Sequence, residues 1–239
     1  MASIISSIYS GWQSAGAFIT GADDTKNDIN GGEQVVLILV GLVGSGKSAF
    51  AAALEEHFPF FRRCNQDDLG DRRQVEHLAR NSLRQGLSVC IDRTNFNESQ
   101  RAYWIDIARE YPKASRWVIV FDTPYEVCAA RLRERTSHPT ITSPEQGLSI
   151  LARFASDYRP PAVHEGYDRI ISLSPSDHSS STYTKEDVMG ILQRVQNSPQ
   201  VTRAAAPHAD RRWGQPSRRG DHRQGYPSEG YRGRGYPSG

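Results

Sequence analysis

Residues 41 to 48 read Gly-Leu-Val-Gly-Ser-Gly-Lys-Ser, an instance of G-x-x-x-x-G-K-[ST], and the chemistry such a run can do is phosphate binding. Glycines at 41, 44 and 46 allow the backbone N–H groups of the loop, Leu42, Val43 and Ser45 included, to turn inward around phosphate oxygens. Lys47 brings a charge for the β- and γ-phosphates, and Ser48 brings a hydroxyl able to ligate Mg²⁺ at a helix N-terminus. Residues Gly41 through Ser48 are therefore expected to hold ATP with Mg²⁺. Further along, Asn65-Gln66-Asp67-Asp68 supplies two carboxylates. One of them is a candidate to take the proton of a hydroxyl that attacks the γ-phosphorus, and capping a helix is the other use such acids have. Asp92-Arg93-Thr94-Asn95 supplies a further carboxylate, a candidate partner for the metal or the phosphate loop, with Thr94 and Asn95 suited to the turn that follows. Arg131, Arg133 and Arg135 lead into the polar segment 136–142. Their spacing puts them on different helix faces, so only one or two can reach a γ-phosphate. Arg135, nearest the loop, is the first candidate for stabilising transferred charge, although arginines here also complement a helix dipole.

These residues need elements to carry them. Gln34–Val40 is a continuously apolar, β-branched run, the signature of a strand buried on both faces of a parallel sheet, and it leads directly into the glycine loop. A helix is expected over 47–57, a second strand over 60–64, and a helix over 70–85 with Val75, Leu78, Ala79 and Leu83 on one face. A third strand is expected over 87–92, then a helix opening at Asn97 with Gln100 at its third position, and a fourth strand over 116–122. Thr123, Pro124 and Glu126 read as a capping box opening a helix to about Arg135. Ser143-Pro144-Glu145-Gln146 opens another helix to about Tyr158, 167–173 reads as a fifth strand, and Thr184 caps a closing helix to about Gln196. Strand and helix alternate throughout, which predicts an α/β three-layer sandwich around a five-stranded parallel sheet. In such sheets the carboxyl ends of the strands border the ligand crevice, and the phosphate loop, Asp67 and Asp92 all follow predicted strands.

Composition divides the chain. Residues 203–239 hold eight Arg, no Lys and three acids, while the remainder carries 21 basic against 24 acidic residues. That Arg/Gly/Tyr/Pro-rich tail lacks apolar periodicity and repeats Gly-Tyr-Pro-Ser, so it is expected to be disordered. Its arginines suit phosphates and its Tyr residues and Trp213 suit unpaired bases, which makes single-stranded nucleic acid a candidate partner and a merely solubilising tail the alternative. Residues 1–33 read as a flexible extension with a short amphipathic first half, and residues 34–200 as the domain. Three cysteines without a C-x-x-C pair read as reduced thiols without a disulfide partner. No apolar run approaches the roughly 18 residues of a membrane span, and a basic signal-peptide start is missing. An intracellular location, nuclear or cytoplasmic, is expected.

Taken together, GLVGSGKS, NQDD, IDRTN and RLRERT before a lid resemble the polynucleotide kinase-like P-loop family over roughly Val35 to Leu173, with an adenylate-kinase-like core. The Gln-Asp and I-D-R-x-N pattern is closer still to the kinase-like domain of plant aprataxin-related proteins, although the H-x-H-x-H of their histidine-triad domain is missing here. The resemblance implies transfer of phosphate from ATP to 5′-hydroxyl ends of DNA or RNA. It also implies Asp67 as general base, Asp92 as an active-site carboxylate, and Arg135 with Arg131 as lid arginines. Departures fall on the acceptor side. Gln66 stands where an Arg is usual, Arg93 where an Asn is usual, and Gly70 where the phage-type enzyme has an arginine on the acceptor phosphate. Arg72 or Arg73 is the candidate to take over that contact, so Asp67, Asp92, Arg93 and Arg72 form the expected acceptor-binding set. Two other readings stay open at this point: a kinase for a small hydroxylated metabolite or nucleoside, and a non-catalytic, ATP-gated nucleic-acid-binding module.

Overall fold

The computed structural model of the chain describes residues 29–134 and 143–201. The expectations for Arg135, the 136–142 loop, most of the N-terminal extension and the tail lie outside the described residues. Strand β1 (Val35–Val40) leads through the glycine loop into helix α1 (Lys47–His57), followed by β2 (Phe61–Asn65) and a four-residue helix α2 (Gln66–Leu69). Next come α3 (Arg72–Arg84), β3 (Ser88–Asp92), α4 (Glu98–Arg109), β4 (Ser115–Phe121) and α5 (Tyr125–Glu134). Helix α6 (Pro144–Asp157), β5 (Arg169–Leu173) and α7 (Lys185–Asn197) complete the order.

The five strands pair in parallel in the order β2-β3-β1-β4-β5. The chain runs from β1 to one side for β2 and β3, then to the other side for β4 and β5. The crevice therefore opens at the carboxyl end of β1, where strand order reverses. Strand β1 is buried along its whole length. Its alternate residues feed two cores: Val35, Leu37 and Leu39 pack with Phe50, Leu54, Val188 and Leu192, whereas Val36, Ile38 and Val40 pack with Val75, Ala79, Trp104 and Ile105. Helices α1 and α7 thus cover one face, α3 and α4 the other. Each such fully buried aliphatic or aromatic side chain contributes roughly 1.5–3 kcal/mol of transfer free energy. A third cluster of Cys128, Ala129, Leu132 and Leu151 packs α5 and α6 against Leu42 and Val43 of the glycine loop.

The local signals for helix starts hold up to inspection. Asn97 accepts from Gln100 N at 3.0 Å, Ser143 from Gln146 N at 3.2 Å, and Thr184 forms a capping box with Asp187. The helix expected over 70–85 is α3, and the short α2 that precedes it was not expected. Asn65 caps α2, Gly70 ends it at φ 88°, and Asp71 starts α3 by accepting from Gln74 N. The Thr123 hydroxyl, expected in a cap, donates to the Ser45 carbonyl at 3.1 Å and ties β4 to the phosphate loop. The packed region also begins earlier than residue 34, because Ile29 is buried in the same core as α7.

A buried ion pair braces the side of the crevice. Arg101 donates to both carboxylate oxygens of Glu165 at 2.7 Å, and also to the carbonyls of Asn95 and Arg159 at 2.9 Å. Both side chains are almost fully buried. Removing one partner strands the other charge, so Glu165→Gln is expected to lower stability by about 3–5 kcal/mol in urea unfolding. Arg101→Met with Glu165→Leu should recover most of that loss, and a double variant no more stable than the single one would refute the pairing argument.

Candidate active site

Gly41 and Gly44 are required by space as well as by conformation. At φ 151° and 84°, a Cβ on either would sit 2.9 Å from a backbone carbonyl, that of Phe121 or of Cys128. Helix α1 begins after Gly46, at φ 106° and without a side-chain cap, so its first N–H groups face the loop's concavity and favour an anion there. Lys47 is buried, and its Nζ donates to the carbonyls of Gly41 and Leu42 at 2.9 and 2.7 Å and to Ser45 Oγ at 3.2 Å. Burial lowers its pKa to about 8, with Asp92 and Cys128 acting in the opposite direction.

The carboxyl ends of β2 and β3 meet at Asp92, which is 4% exposed. Its Oδ1 accepts from Ser48 Oγ at 3.0 Å, while Oδ2 accepts from Arg63 Nε and Nη2 at 2.9 and 2.7 Å and from Asn65 Nδ2 at 2.6 Å. Asn65 Oδ1 in turn accepts from Asp67 N at 2.6 Å, fixing the start of α2. The two acids of that start separate in role. Asp68 pairs with Arg63 at 3.2 Å, whereas Asp67 lines the cleft. Asp92 thus orients Ser48 through Oδ1, which accepts from that hydroxyl, while Oδ2 takes the three bonds from Arg63 and Asn65. The Ser48 hydroxyl donates its hydrogen to Asp92 and keeps its lone pairs for a cation. A single hydroxyl with phosphate and water oxygens suits Mg²⁺, which seldom takes an all-protein cage, and this donor set fits it. No cluster of three or more His, Cys, Asp or Glu residues is found among the described residues.

A cleft of about 710 Å³ brings these groups together: the loop from Val43 to Ala49, Asp67, Asp92, Arg93 and Arg131 all line it. Arg131 Nη1 donates to the Gly44 carbonyl at 3.2 Å. Arg133 is exposed and does not line the cleft. Arg93 also reaches the cleft, with its guanidinium 5.6 Å above the Trp104 ring. Arg72 lies 3.8 Å over the Tyr103 ring and pairs with Glu76 at 2.9 Å, on the acceptor side but outside the cleft lining. Sequence reasoning missed three groups. Arg63 holds Asp92, Thr123 holds the loop, and residues 173–183 with Phe154 form the opposite wall. Only Arg63 left a signal, as a charge inside a strand that ends at the crevice. Cys64, Cys90 and Cys128 are free and buried, and no described helix is long and apolar enough to cross a membrane.

The family whose sequence model matches this chain is described as an AAA domain and covers residues 36–161, from β1 to just past α6. A similar curated protein, the transcription factor bHLH140 of Arabidopsis thaliana, is 31% identical over 169 residues, spanning 67% of this chain and 18% of that protein. The bifunctional polynucleotide phosphatase/kinase of Schizosaccharomyces pombe is 28% identical over 137 residues, 57% of this chain and 33% of the relative. The matched region thus covers about a fifth and a third of these relatives' lengths. Among solved structures, a fungal RNA kinase superposes with a TM-score of 0.52 at 14% identity, over 69% of this chain and 98% of its own, which is a likeness of fold.

The lowered pKa of Lys47 sets a pH signature. A polyphosphate against Nζ favours the ammonium form and raises its pKa, so nucleotide binding above pH 8 takes up a proton. Affinity for ATP is expected to fall as pH rises from about 8, by up to about tenfold per unit. Calorimetry in buffers of different ionisation enthalpy should show proton uptake at pH 8.5 that Lys47→Met abolishes. Folding stability moves the other way: the unfolded chain holds the extra proton between about pH 8 and the usual lysine value, so Lys47 makes stability rise with pH across that window. Affinity that is flat from pH 7.5 to 9.5 would contradict this account.

Proposed function

We propose that this chain, which belongs to the AAA-domain family and has P-loop kinase architecture, transfers the γ-phosphoryl group of ATP to a hydroxyl, and that the acceptor is the 5′-hydroxyl end of DNA or RNA. The observation that supports this best is the cleft itself, in which Asp67 shares one cavity with the phosphate loop and Arg131. A base and a phosphate loop that share one cavity are what an in-line transfer requires.

In this reading the 5′-oxygen attacks the γ-phosphorus, a new P–O bond forms, and the bond to the β–γ bridging oxygen breaks to release ADP. Asp67 takes the proton of the attacking hydroxyl. Lys47 leaves part of its bonding to the Gly41 and Leu42 carbonyls for the β- and γ-phosphates, and Arg131, aided by Arg135, neutralises charge on the moving phosphoryl group. Mg²⁺, when bound, supplies charge neutralisation at the phosphates, and Ser48, oriented by Asp92, is the residue that holds it. The S. pombe relative's name, polynucleotide phosphatase/kinase, supports the same acceptor. So does the Arg-rich stretch 203–239, whose composition suits weak, salt-sensitive holding of a single strand.

A second reading, a kinase for a small hydroxylated metabolite, is favoured by one feature. Gly70 ends α2 at φ 88° with nothing within 4 Å of its Cβ position, so no side chain reaches the acceptor from there. The readings part on one assay: transfer of labelled γ-phosphate to a 5′-hydroxyl oligonucleotide with Mg²⁺. The intact protein is expected to label the oligonucleotide, with Lys47→Ala and Asp67→Asn each slowing transfer by about 10²-fold or more. No labelling of any DNA or RNA end, with ATP binding intact, would remove the polynucleotide reading and leave the small acceptor.

A further inference from the structure

The order of the strands gives the cleft two arms. The phosphate loop follows the central strand β1, with the ends of β3 and β2 on one side of it and those of β4 and β5 on the other. The first arm carries side chains of fixed polarity: Asn65, Gln66, Asp67, Asp92 and Arg93. The second, lined by Phe121, Thr123 and residues between 173 and 183, has no Asn, Gln, Asp, Glu, Lys or Arg among its described lining residues. Arg131, bonded to the Gly44 carbonyl, belongs to the loop between the two. Because the general base Asp67 stands on the first arm, the nucleoside of the phosphoryl donor takes the second.

That second arm is rich in hydroxyls. Between β5 and α7, eight of the eleven residues from 174 to 184 are Ser, Thr or Tyr. The His178 ring stacks on the Tyr183 ring at 3.9 Å and 13°, closing the neck of an arch made of Ser179, Ser180, Ser181 and Thr182. The neck is held from outside the arch: His178 Nε2 lies 3.3 Å from Asp187 Oδ2, and Tyr183 meets Phe50 of α1 edge-on at 5.5 Å. Asp177, one residue before the neck, accepts from Ser174 N and Oγ at 2.7 Å and from Arg194 at 2.9 Å, so its carboxylate is engaged within the loop. The arch itself is exposed, and Ser179, Ser180 and Ser181 line the cleft.

A hydroxyl is donor and acceptor at once and turns to suit its partner. Adenine and cytosine present an amino group where guanine and uracil present a carbonyl oxygen, and a turning hydroxyl meets either. A carboxamide, carboxylate or guanidinium meets one of them, and a site built on such fixed groups rejects the wrong partner by roughly 10⁴-fold. The ring faces at the neck add stacking, which every base can use.

We propose that the donor site is indifferent to the base of the nucleoside triphosphate, so that GTP, CTP and UTP serve as phosphoryl donors alongside ATP, with Ser179, Ser180 and Ser181 setting this breadth. The transfer step is the one given above: the bond to the β–γ bridging oxygen breaks and the corresponding nucleoside diphosphate leaves. The inference rests on the reading of the phosphate loop as a nucleoside triphosphate site and is independent of the acceptor's identity.

Calorimetry of the full chain with Mg²⁺ and the non-hydrolysable β,γ-imido forms of ATP, GTP, CTP and UTP tests it without any acceptor. The four affinities are expected to lie within about tenfold of one another, the span of one net hydrogen bond. A preference for one base above about tenfold overturns the inference and leaves the triphosphate site standing. Binding of none of the four fails that reading and the inference with it. Replacing the arch by Ser179→Ala, Ser180→Ala and Ser181→Ala together should weaken all four by a similar factor, about 3- to 10-fold, while inorganic tripolyphosphate, which has no base, binds as before. Unchanged affinities for all four overturn the role of the arch. Equal weakening of tripolyphosphate places the effect on the phosphates and overturns it as well.

Discussion

The Asp92 carboxylate is the interaction on which the site depends. A buried carboxylate is tolerable only when its lone pairs are met, and here four donor contacts from three side chains meet them. Each donor belongs to a different part of the cleft: Ser48 to the start of α1, Arg63 to the inside of β2, and Asn65 to the junction of β2 with α2. Because Asn65 also accepts from Asp67 N, the same carboxylate sets where α2 begins and hence where Asp67 stands. Phosphate side and acceptor side are thus referenced to one atom group at the end of one strand. Arg63 extends the reference through Asp68, so that the second acid of the pair is spent on structure.

Asn95 performs a comparable task for the opposite wall. Its side chain spans from the Leu39 carbonyl to Trp104 Nε1, and its own carbonyl accepts from Arg101. Arg101 is held in turn by Glu165, and Arg159 N donates to the Phe96 carbonyl while Phe96 stacks on Phe154 at 4.8 Å. The loop after β3, the start of α4 and the segment after α6 are therefore one bonded unit. Helix α6 carries Phe154 and Ile150 into the cleft, and α5 carries Arg131 and Leu132. Their packing on Leu42 and Val43 means that any rearrangement of the α5–α6 pair is felt directly by the phosphate loop.

What could be read from the residues was what local bonds decide. The glycine loop is constrained by its own sterics, with φ values open chiefly to glycine and carbonyls 2.9 Å away, so the motif and its structure coincide. Caps at Asn97, Ser143 and Thr184 are bonds over three residues and were legible for that reason. The limits of β1, β3 and β4 agree to within a residue because burial leaves a nearly continuous apolar run. The short α2 was missed although Asn65, which accepts from Asp67 N and Asp68 N, is a typical cap residue. Four residues are too few to show an apolar period, whereas the spacing through Val75, Ala79 and Leu83 made α3 legible. The Asp92 network was partly illegible for a different reason. Arg63 lies 29 positions away, and its meeting with Asp92 depends on the lateral pairing of β2 with β3, which no local pattern encodes. Thr123 illustrates the same limit, since a residue typical of a cap found its partner 78 positions away.

Two arginines near the cleft show two ways of holding a guanidinium. Arg63, inside β2, is bound by Asp92 and Asp68, whereas Arg93, just past β3, lines the cleft with its guanidinium 5.6 Å from the Trp104 ring centre. An ion pair with a carboxylate fixes a guanidinium and uses up its donors. A cation over an indole face is held by the ring's charge distribution and spends no donor on it. The first fixes a group by spending its donors, the second fixes it by its plane. Sequence neighbours Asp92 and Arg93 thus differ from adjacent positions: Asp92 bonds Ser48, Arg63 and Asn65 together at the end of the sheet, while Arg93 lines the cleft over an indole face.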